Sequence, residues 1–253
     1  MSREKPMYGT SILKAVSVMQ CISEQEEPMG ASRIAHHTGL PRSTVFKLLD
    51  TLTAVGFVEK SAHDATYRLG IGLVKLAGNA MEQLDLVQVA RPYLKELNRQ
   101  TEETIHLGIP EHDQVVYVDK LESRQAVRMY SRVGKTAPLY CTGIGKAMLS
   151  RFPPKRLDAY LKEVHPAAYT SRTLTDPEAI RRDLEASRSR GYAIDHGEHE
   201  EDVRCIAVPL YRGDKVYGAV SISAPEYRMN AERVAQLLPK LLRCQQNILH
   251  RLP

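Results

Sequence analysis

Apolar residues recur at helical spacing over the first quarter of the chain. Between positions 10 and 25 they stand at Ile12, Ala15, Val16, Met19 and Ile22, the three- and four-residue steps of one helix face. Pro28-Met29-Gly30 reads as the turn that ends this helix. Two shorter helices follow, at about 31–38 and 41–55, and Gly56 sits just past the second, where a glycine commonly closes a helix. The pattern then changes to strand-like pieces at 57–60 and 66–69, joined by a polar turn at 61–65, which reads as a small β-hairpin. Helical spacing returns at 71–84 (Leu73, Val74, Ala77, Met81, Leu84), read as a linker helix, and again from Leu86 to about Gln100. Pro92 inside the latter predicts a kink or a fresh helix start.

From about Glu103 the character is mixed. Strand-like runs stand at 104–109, 114–120, 126–132, 192–195, 204–211 and 216–224, with helical stretches between them. One helix opens near Thr142-Gly143. Another, 176–190, opens with Thr175-Asp176-Pro177-Glu178, in which Thr175 and Glu178 have capping-box spacing and Pro177 suits the first turn. The last helix, about 230–250, carries Val234, Leu237, Leu238, Leu241, Leu242, Ile248 and Leu249 on one face, and Pro239 within it predicts a kink. The chain therefore reads as α+β. A three-helix and hairpin unit spans 1–70, a linker helix 71–84, and a larger domain 85–253.

The sharpest local pattern is ASRIAHHTGLPRSTVFKLL at 31–49. A helix-turn-helix needs a small residue where its helices approach (Ala35), a residue tolerant of positive φ in the turn (Gly39), and an apolar residue packing the second helix back onto the first (Val45). Ile34, Leu40, Leu48, Leu49 and Leu52 complete a buried face. The other face of the second helix presents Arg42, Ser43, Thr44 and Lys47 near its N-terminus, the end that enters the major groove in this motif. The hairpin fits a wing, with His63 at its tip and Arg68 on a strand; Arg33 on the preceding helix is a further phosphate candidate. A plain three-helix bundle with a polar outer face would share the short helices and the glycine turn, but not the basic face.

Net charge adds little to this picture. The chain carries +5 overall, but residues 1–75 hold nine Lys+Arg against seven Asp+Glu, so the surplus is not concentrated in the head. Apolar residues make up 43% of the 253, ordinary for a globular protein, and no run approaches the roughly 18 residues of a membrane span. The polar first residues do not form a secretory signal. Four cysteines at 21, 141, 205 and 244 lack CxxC pairing, which argues against a zinc cluster or a disulfide framework and fits a reducing cytoplasm. No cofactor and no metal is expected. The dense 195–202 segment, with His196 and His199 among carboxylates, reads either as a metal candidate or as a solvated acidic loop.

The larger domain offers candidates for a small-molecule pocket. Thr142-Gly143-Ile144-Gly145-Lys146 is a glycine-bearing loop entering a helix, where free N–H groups can receive a carboxylate, or simply an ordinary loop. Ser221 and Ser223 stand two apart on one strand, so both hydroxyls face one way. With the Cys205 thiol on a neighbouring strand they would suit an oxygen-rich acid, although a free Cys is commonly just a small buried hydrophobe. Arg128, Met129, Tyr130 and His106 are further candidates.

The blocks GLPRSTVFKLLDTL (39–52), GFVEK (56–60), YRLG (67–70), TEETIHLG (101–108), PLYCTGIGKAML (138–149), RGYAID (190–195), RCIAVP (204–209) and SIS (221–223) resemble, in order and over nearly the whole chain, the IclR family of regulators. Within it, TIHLG, RMYSRVGK (128–135) and PLYCTGIGKA are most similar to the 2-keto-3-deoxygluconate repressors. Where the family has a His-Arg pair on the recognition helix, this chain has Phe46-Lys47, and Lys lacks the bidentate fork of Arg. The resemblance implies a winged helix-turn-helix head, a GAF-like effector-binding domain, and a homodimer or homotetramer on a palindromic or pseudo-palindromic double-stranded DNA operator. It implies that Asp195, Cys205, Ser221 and Ser223, with backbone at Gly143 and Ile144, line a site for a small carboxylic acid effector, closed by the 195–202 loop.

Two other functions compete with a ligand-controlled regulator. A Cys-dependent hydrolase would need Cys205 or Cys141 beside a His base such as His106 or His196, a pairing no spacing supports. An architectural DNA binder without an effector would leave the paired serines unexplained. The expectation is a non-enzymatic DNA-binding regulator, a repressor of carbon catabolism that senses a keto sugar acid or related acid, with no catalytic residues.

Overall fold

The computed structural model describes residues 9–82, 85–125 and 131–252. Contacts divide the chain into two units, Met1–Gln83 and Leu84–Pro253.

The first unit holds α1 (Thr10–Ser23), β1 (Met29–Gly30), α2 (Ala31–Thr38), α3 (Arg42–Ala54), β2 (Val58–Lys60), β3 (Thr66–Leu69) and α4 (Ile71–Glu82). Gly39 adopts φ 65°, the left-handed conformation that lets α2 end and α3 start within three residues. Ile34 of α2 and Val45, Leu49 and Leu52 of α3 form the core with Val18, Cys21 and Ile22 of α1 and with Val58 and Tyr67 of the hairpin. The segment read as a turn at 28–30 contains β1, which pairs Met29 with Tyr67 and makes the wing three-stranded, in the order β1-β3-β2. A two-residue strand gains its definition from that distant partner, so no local pattern announces it.

The buried face of α1 also differs from the expected stripe. Val18, Cys21 and Ile22 are buried, whereas Ile12 (70% exposed), Leu13 and Val16 are not. Where the head continues into α4, Gly70 and Gly72 lie against the turn after α3. Their N–H groups donate to Phe57 O (2.8 Å) and Gly56 O (2.9 Å). A Cβ on Gly70 or Gly72 would stand 2.4 or 2.7 Å from the Gly56 carbonyl oxygen, so only glycine permits this approach.

The second unit runs α5 (Asp85–Thr101), β4 (Thr104–Glu111), β5 (Gln114–Leu121), β6 (Thr136–Pro138), α6 (Gly143–Leu149), α7 (Pro154–Glu163), α8 (Pro177–Arg190), β7 (Ala193–His196), β8 (Val203–Arg212), β9 (Lys215–Pro225), a 3-10 turn (Glu226–Arg228) and α9 (Ala231–Arg251). Its six strands form one antiparallel sheet, β6-β5-β4-β9-β8-β7. α5 and α9 pack together on one face and α6 lies on the other, with α8 beside it. The core under α6 gathers Leu139, Ile144, Met148, Phe152, Tyr160, Ile180 and Leu184, with Ala207 and Ala219 from the sheet.

Several local expectations change. Of the strand expected at 126–132, residues 126–130 lie outside the described residues, Ser131 and Arg132 are not in a strand, and the edge strand is β6. The cap of α8 is Asp176, whose carboxylate accepts from Ala179 N–H at 2.9 Å, not Thr175; Pro177 then takes the first helical position. Both α5 and α9 run through their prolines without restarting. Pro92 and Pro239 sit on exposed faces, where a lost helical hydrogen bond costs least, while Leu94 and Leu97 or Leu237 and Leu241 anchor the buried face.

Candidate functional site

The head presents one polar face on α3. Arg42, Ser43 and Lys47 are exposed and Thr44 is half-buried, while Val45, Leu49 and Leu52 turn inward. The exposed Phe46 ring lies 5.7 Å from the Arg42 guanidinium, one helical turn away, and gives it an apolar rest. Arg33 on α2 and His63 in the hairpin turn are also exposed. Arg68 is committed differently: its guanidinium makes a two-pronged pair with Glu59 on the adjacent strand, at 3.0 and 3.1 Å. It is therefore not an open donor in the free head.

In the second unit the sheet itself assembles a pocket. Register places Asp195, Cys205, Ser223 and Thr104 side by side across β7, β8, β9 and β4, with Ala207, Ser221 and His106 in the row two residues on. Alternation directs both rows to the α6 face. Gly143 opens α6 against them, and a Cβ there would lie 3.1 Å from Cys205 Cβ and 3.4 Å from Asp195 Cβ. Thr142 caps the helix by accepting from Gly145 N–H. The resulting cavity of about 40 Å³ is lined by His106, Asp195, Cys205, Ser221 and Ser223, by Gly143 and Ile144, and by Tyr117, Ser131, Thr142, His199, Glu200 and Val203.

Burial sets the charge of this lining. His106 is hydrogen-bonded to Ser131 Oγ (2.6 Å) through Nε2, and its Nδ1 faces the Ser221 and Ser223 hydroxyls at 3.4 and 3.3 Å. Desolvation, helped by the Lys120 ammonium, holds its pKa down to about 3, so the ring is neutral. Asp195 is pushed up to about 7, first by burial and then by the Glu198 and Glu200 charges, against the Glu198 N–H and Lys146 that favour its anion. Among the described residues, no Lys or Arg lines the cavity. The lining offers hydroxyls, amides, the neutral His106 ring, the His199 imidazole and the carboxyls of Asp195 and Glu200, with Asp195 poised between acid and anion near neutrality.

The same burial disarms the thiols. Cys205 is held well above its ordinary value and Cys141 at about 12, both chiefly by desolvation. A nucleophilic Cys requires the reverse shift, so the hydrolase reading fails on its own chemistry. In the acidic loop, His196 bonds Glu226 and His199 faces the cavity; among the described residues no His, Cys, Asp or Glu cluster is placed to hold a metal. All four cysteines are buried and unpaired, and no described helix is long and apolar enough to cross a membrane.

Seven of the nine expected pocket residues thus come together; Arg128 and Met129, with Tyr130, lie outside the described residues. Tyr117 was not foreseen, for a definite reason. Asp119 turns to Arg91 of α5, so simple alternation would send Tyr117 the same way. A bulge opposite Leu107/Gly108 takes up one residue and returns Tyr117 to the pocket face.

Comparison with known proteins covers both units. Residues 11–62 match the IclR helix-turn-helix domain and residues 78–250 the bacterial transcriptional regulator IclR C-terminal domain. The chain is 35% identical to the HTH-type transcriptional regulator KdgR of Escherichia coli (strain K12), over 94% of this chain and 90% of that one. Among solved structures, the Thermotoga maritima IclR superposes with a TM-score of 0.79 at 29% identity, covering 96% of this chain and 98% of the other. An IclR homolog from Microbacterium hydrocarbonoxydans complexed with 4-hydroxybenzoate gives 0.82 at 28% identity, covering 95% and 98%.

Proposed function

The chain belongs to the IclR family of bacterial transcriptional regulators, and from that premise we propose that its second unit senses a small oxygen-rich carboxylic acid and thereby sets the affinity of the head for its operator. One observation carries the reading: on a chain with a helix-turn-helix head, His106, Asp195, Cys205, Ser221 and Ser223 from four strands converge with Gly143 and Ile144 on a single cavity. The cavity has room for roughly three waters. A small keto acid suits the closed form, and a longer keto sugar acid requires the 197–202 loop to move outward. The lining sets the hydroxyls of Ser131, Thr142, Ser221 and Ser223 and the Asp195 and Glu200 carboxyls beside the Tyr117 ring, Ile144 and Val203, a mixed surface that suits a small acid carrying further oxygens. The likeness to KdgR points the same way.

On the DNA side, Arg42, Ser43, Thr44 and Lys47 contact the operator, with Arg33, His63 and, after release from Glu59, Arg68 on the backbone. The exposed apolar residues Ile12, Leu13 and Val16 of α1 and Ile71, Val74 and Leu76 of α4 support a homodimer that buries them, pairing further into a tetramer. A two-fold dimer reads a palindromic or pseudo-palindromic site. The acid acts as an inducer of a carbon-catabolism repressor, in the cytoplasm, by binding one arrangement of the dimer better than another.

The test is a fluorescence-anisotropy titration of full-length protein on an operator selected from random duplexes, with and without 2-keto-3-deoxygluconate. The acid is expected to change operator affinity by about five-fold or more. Unchanged affinity with this and other keto and hydroxy acids counts against the reading. Ser221→Ala with Ser223→Ala is expected to keep operator binding and lose the response; equal loss of both makes the serines structural.

A further inference from the structure

Lys146 is 1% exposed and among the largest fully buried side chains of the described residues. It stands one turn into α6 and does not line the cavity; neither does Glu198. Its ammonium is held by two carboxylates from different elements. Glu198 Oε1, in the loop between β7 and β8, lies at 2.5 Å, and Asp183 Oδ2 of α8 at 2.9 Å. Arg190 approaches Asp183 from the far side at 3.9 Å.

Glu198 is fixed at three points. Its side chain meets Lys146, its N–H donates to Asp195 Oδ1 at 2.8 Å, and its carbonyl accepts from Thr173 Oγ1 at 2.6 Å. The next two residues, His199 and Glu200, line the cavity. A hydrogen-bonded path therefore runs from α6, whose first turn forms one wall, through Lys146 and Glu198 to Asp195 on the opposite wall. Buried ion pairs are poor sources of net stability, because desolvation offsets most of their attraction. The Lys146 pair is not fully bonded, since Glu198 Oε2 is buried without a hydrogen-bond partner among the described residues, but its charged contacts tie α6, α8 and the loop together, which a binding site needs from the groups behind its lining.

We infer that Lys146 is a positioning residue of the effector pocket: through Glu198 it fixes Asp195 and the 197–202 loop against the first turn of α6, without touching the effector. The inference rests on the acid-sensing reading of that pocket. E198Q keeps the shape of the side chain and leaves the Lys146–Asp183 pair in place; K146M removes the ammonium.

Amide hydrogen exchange on the ligand-free full-length protein is expected to quicken over residues 196–202 by about ten-fold, the size of one charge-assisted hydrogen bond lost. Exchange in β4 and in the head should stay as in the wild type. Affinity for 2-keto-3-deoxygluconate, measured where every variant is folded, should fall by a similar factor while operator affinity without the acid is unchanged. A lower melting temperature with unchanged loop exchange and unchanged acid affinity makes Lys146 an ordinary structural residue and overturns the inference. If K146M does not fold, E198Q alone decides. If the wild type binds no acid, the sensing reading fails separately, and the exchange measurement still decides the positioning role.

Discussion

Helix α3 of the head and the pocket of the second unit draw on overlapping side-chain chemistry under opposite conditions. On α3, Arg42, Ser43 and Lys47 stand in water. In the pocket, His106, Asp195, Ser221 and Ser223 are each 4% exposed or less. Exposure keeps the charges of the head available to a polyanion that arrives with its own counterions, so affinity there is salt-dependent and tolerant of small displacements. Burial strips charge from the deepest part of the lining: His106 is neutral, the Cys205 thiol protonated, and Asp195 balanced near neutral pH. On the proposed reading, selectivity there comes from which hydrogen bonds a ligand completes, and it depends on protonation rather than on salt.

Three measurements bear on that contrast. The largest effect is expected from Arg42→Ala. Loss of a base-reading guanidinium at the start of α3 should weaken operator binding about 10- to 100-fold by anisotropy titration and leave acid affinity unchanged. A parallel loss of acid affinity would break the separation between the two surfaces.

Next comes Asp195→Asn, read against pH. Between its ordinary value of 3.8 and about 7, the folded chain keeps a proton on Asp195 that the unfolded chain has released. Stability from this group therefore falls as pH rises through that window, and above it the fold carries a buried carboxylate. Asn imitates the neutral acid, so the variant should melt about 3 °C or more above the wild type at pH 8, with the gap smaller at pH 5 and closed only as the pH nears Asp195's ordinary value. An equal gap at both pH values would mean that burial does not control this group. The smallest effect is expected from Arg68→Ala. Because Glu59 already holds this exposed guanidinium, operator affinity should change less than about three-fold. A larger loss would show that the phosphate contact outweighs the pair with Glu59 that it replaces.

The two regions also differ in how far the chain alone revealed them. The helix-turn-helix was legible because its demands are local: Gly39 and Val45 stand six apart, and their jobs follow from their positions. The serine pair was legible from strand alternation. Tyr117 was not, since a single bulged residue inverts alternation and leaves no mark on the residues either side. Lys146 was read only as the end of a glycine loop, because its partner Glu198 lies 52 residues away and meets it only once the sheet is closed. The stripe on α1 held only in part, because an apolar face says that it wants cover, not what covers it. Ile22 enters the head's own core and Ala15 and Met19 pack against it, but Ile12 and Val16 stay exposed while Val18 and Cys21, off the expected stripe, are buried.

The contact of Gly70 and Gly72 with Gly56 bears on how hybrid sensors are assembled. It joins backbone to backbone, so the exit of the head is tied to the recognition helix by residues with no side chains to swap. A graft cut at the end of the hairpin keeps the donor's Gly56 but imports position 72 from the recipient, and any Cβ there lands 2.7 Å from a carbonyl oxygen. A seam moved beyond Gly72, into α4, carries both partners together and delivers the transplanted head with its own outlet intact.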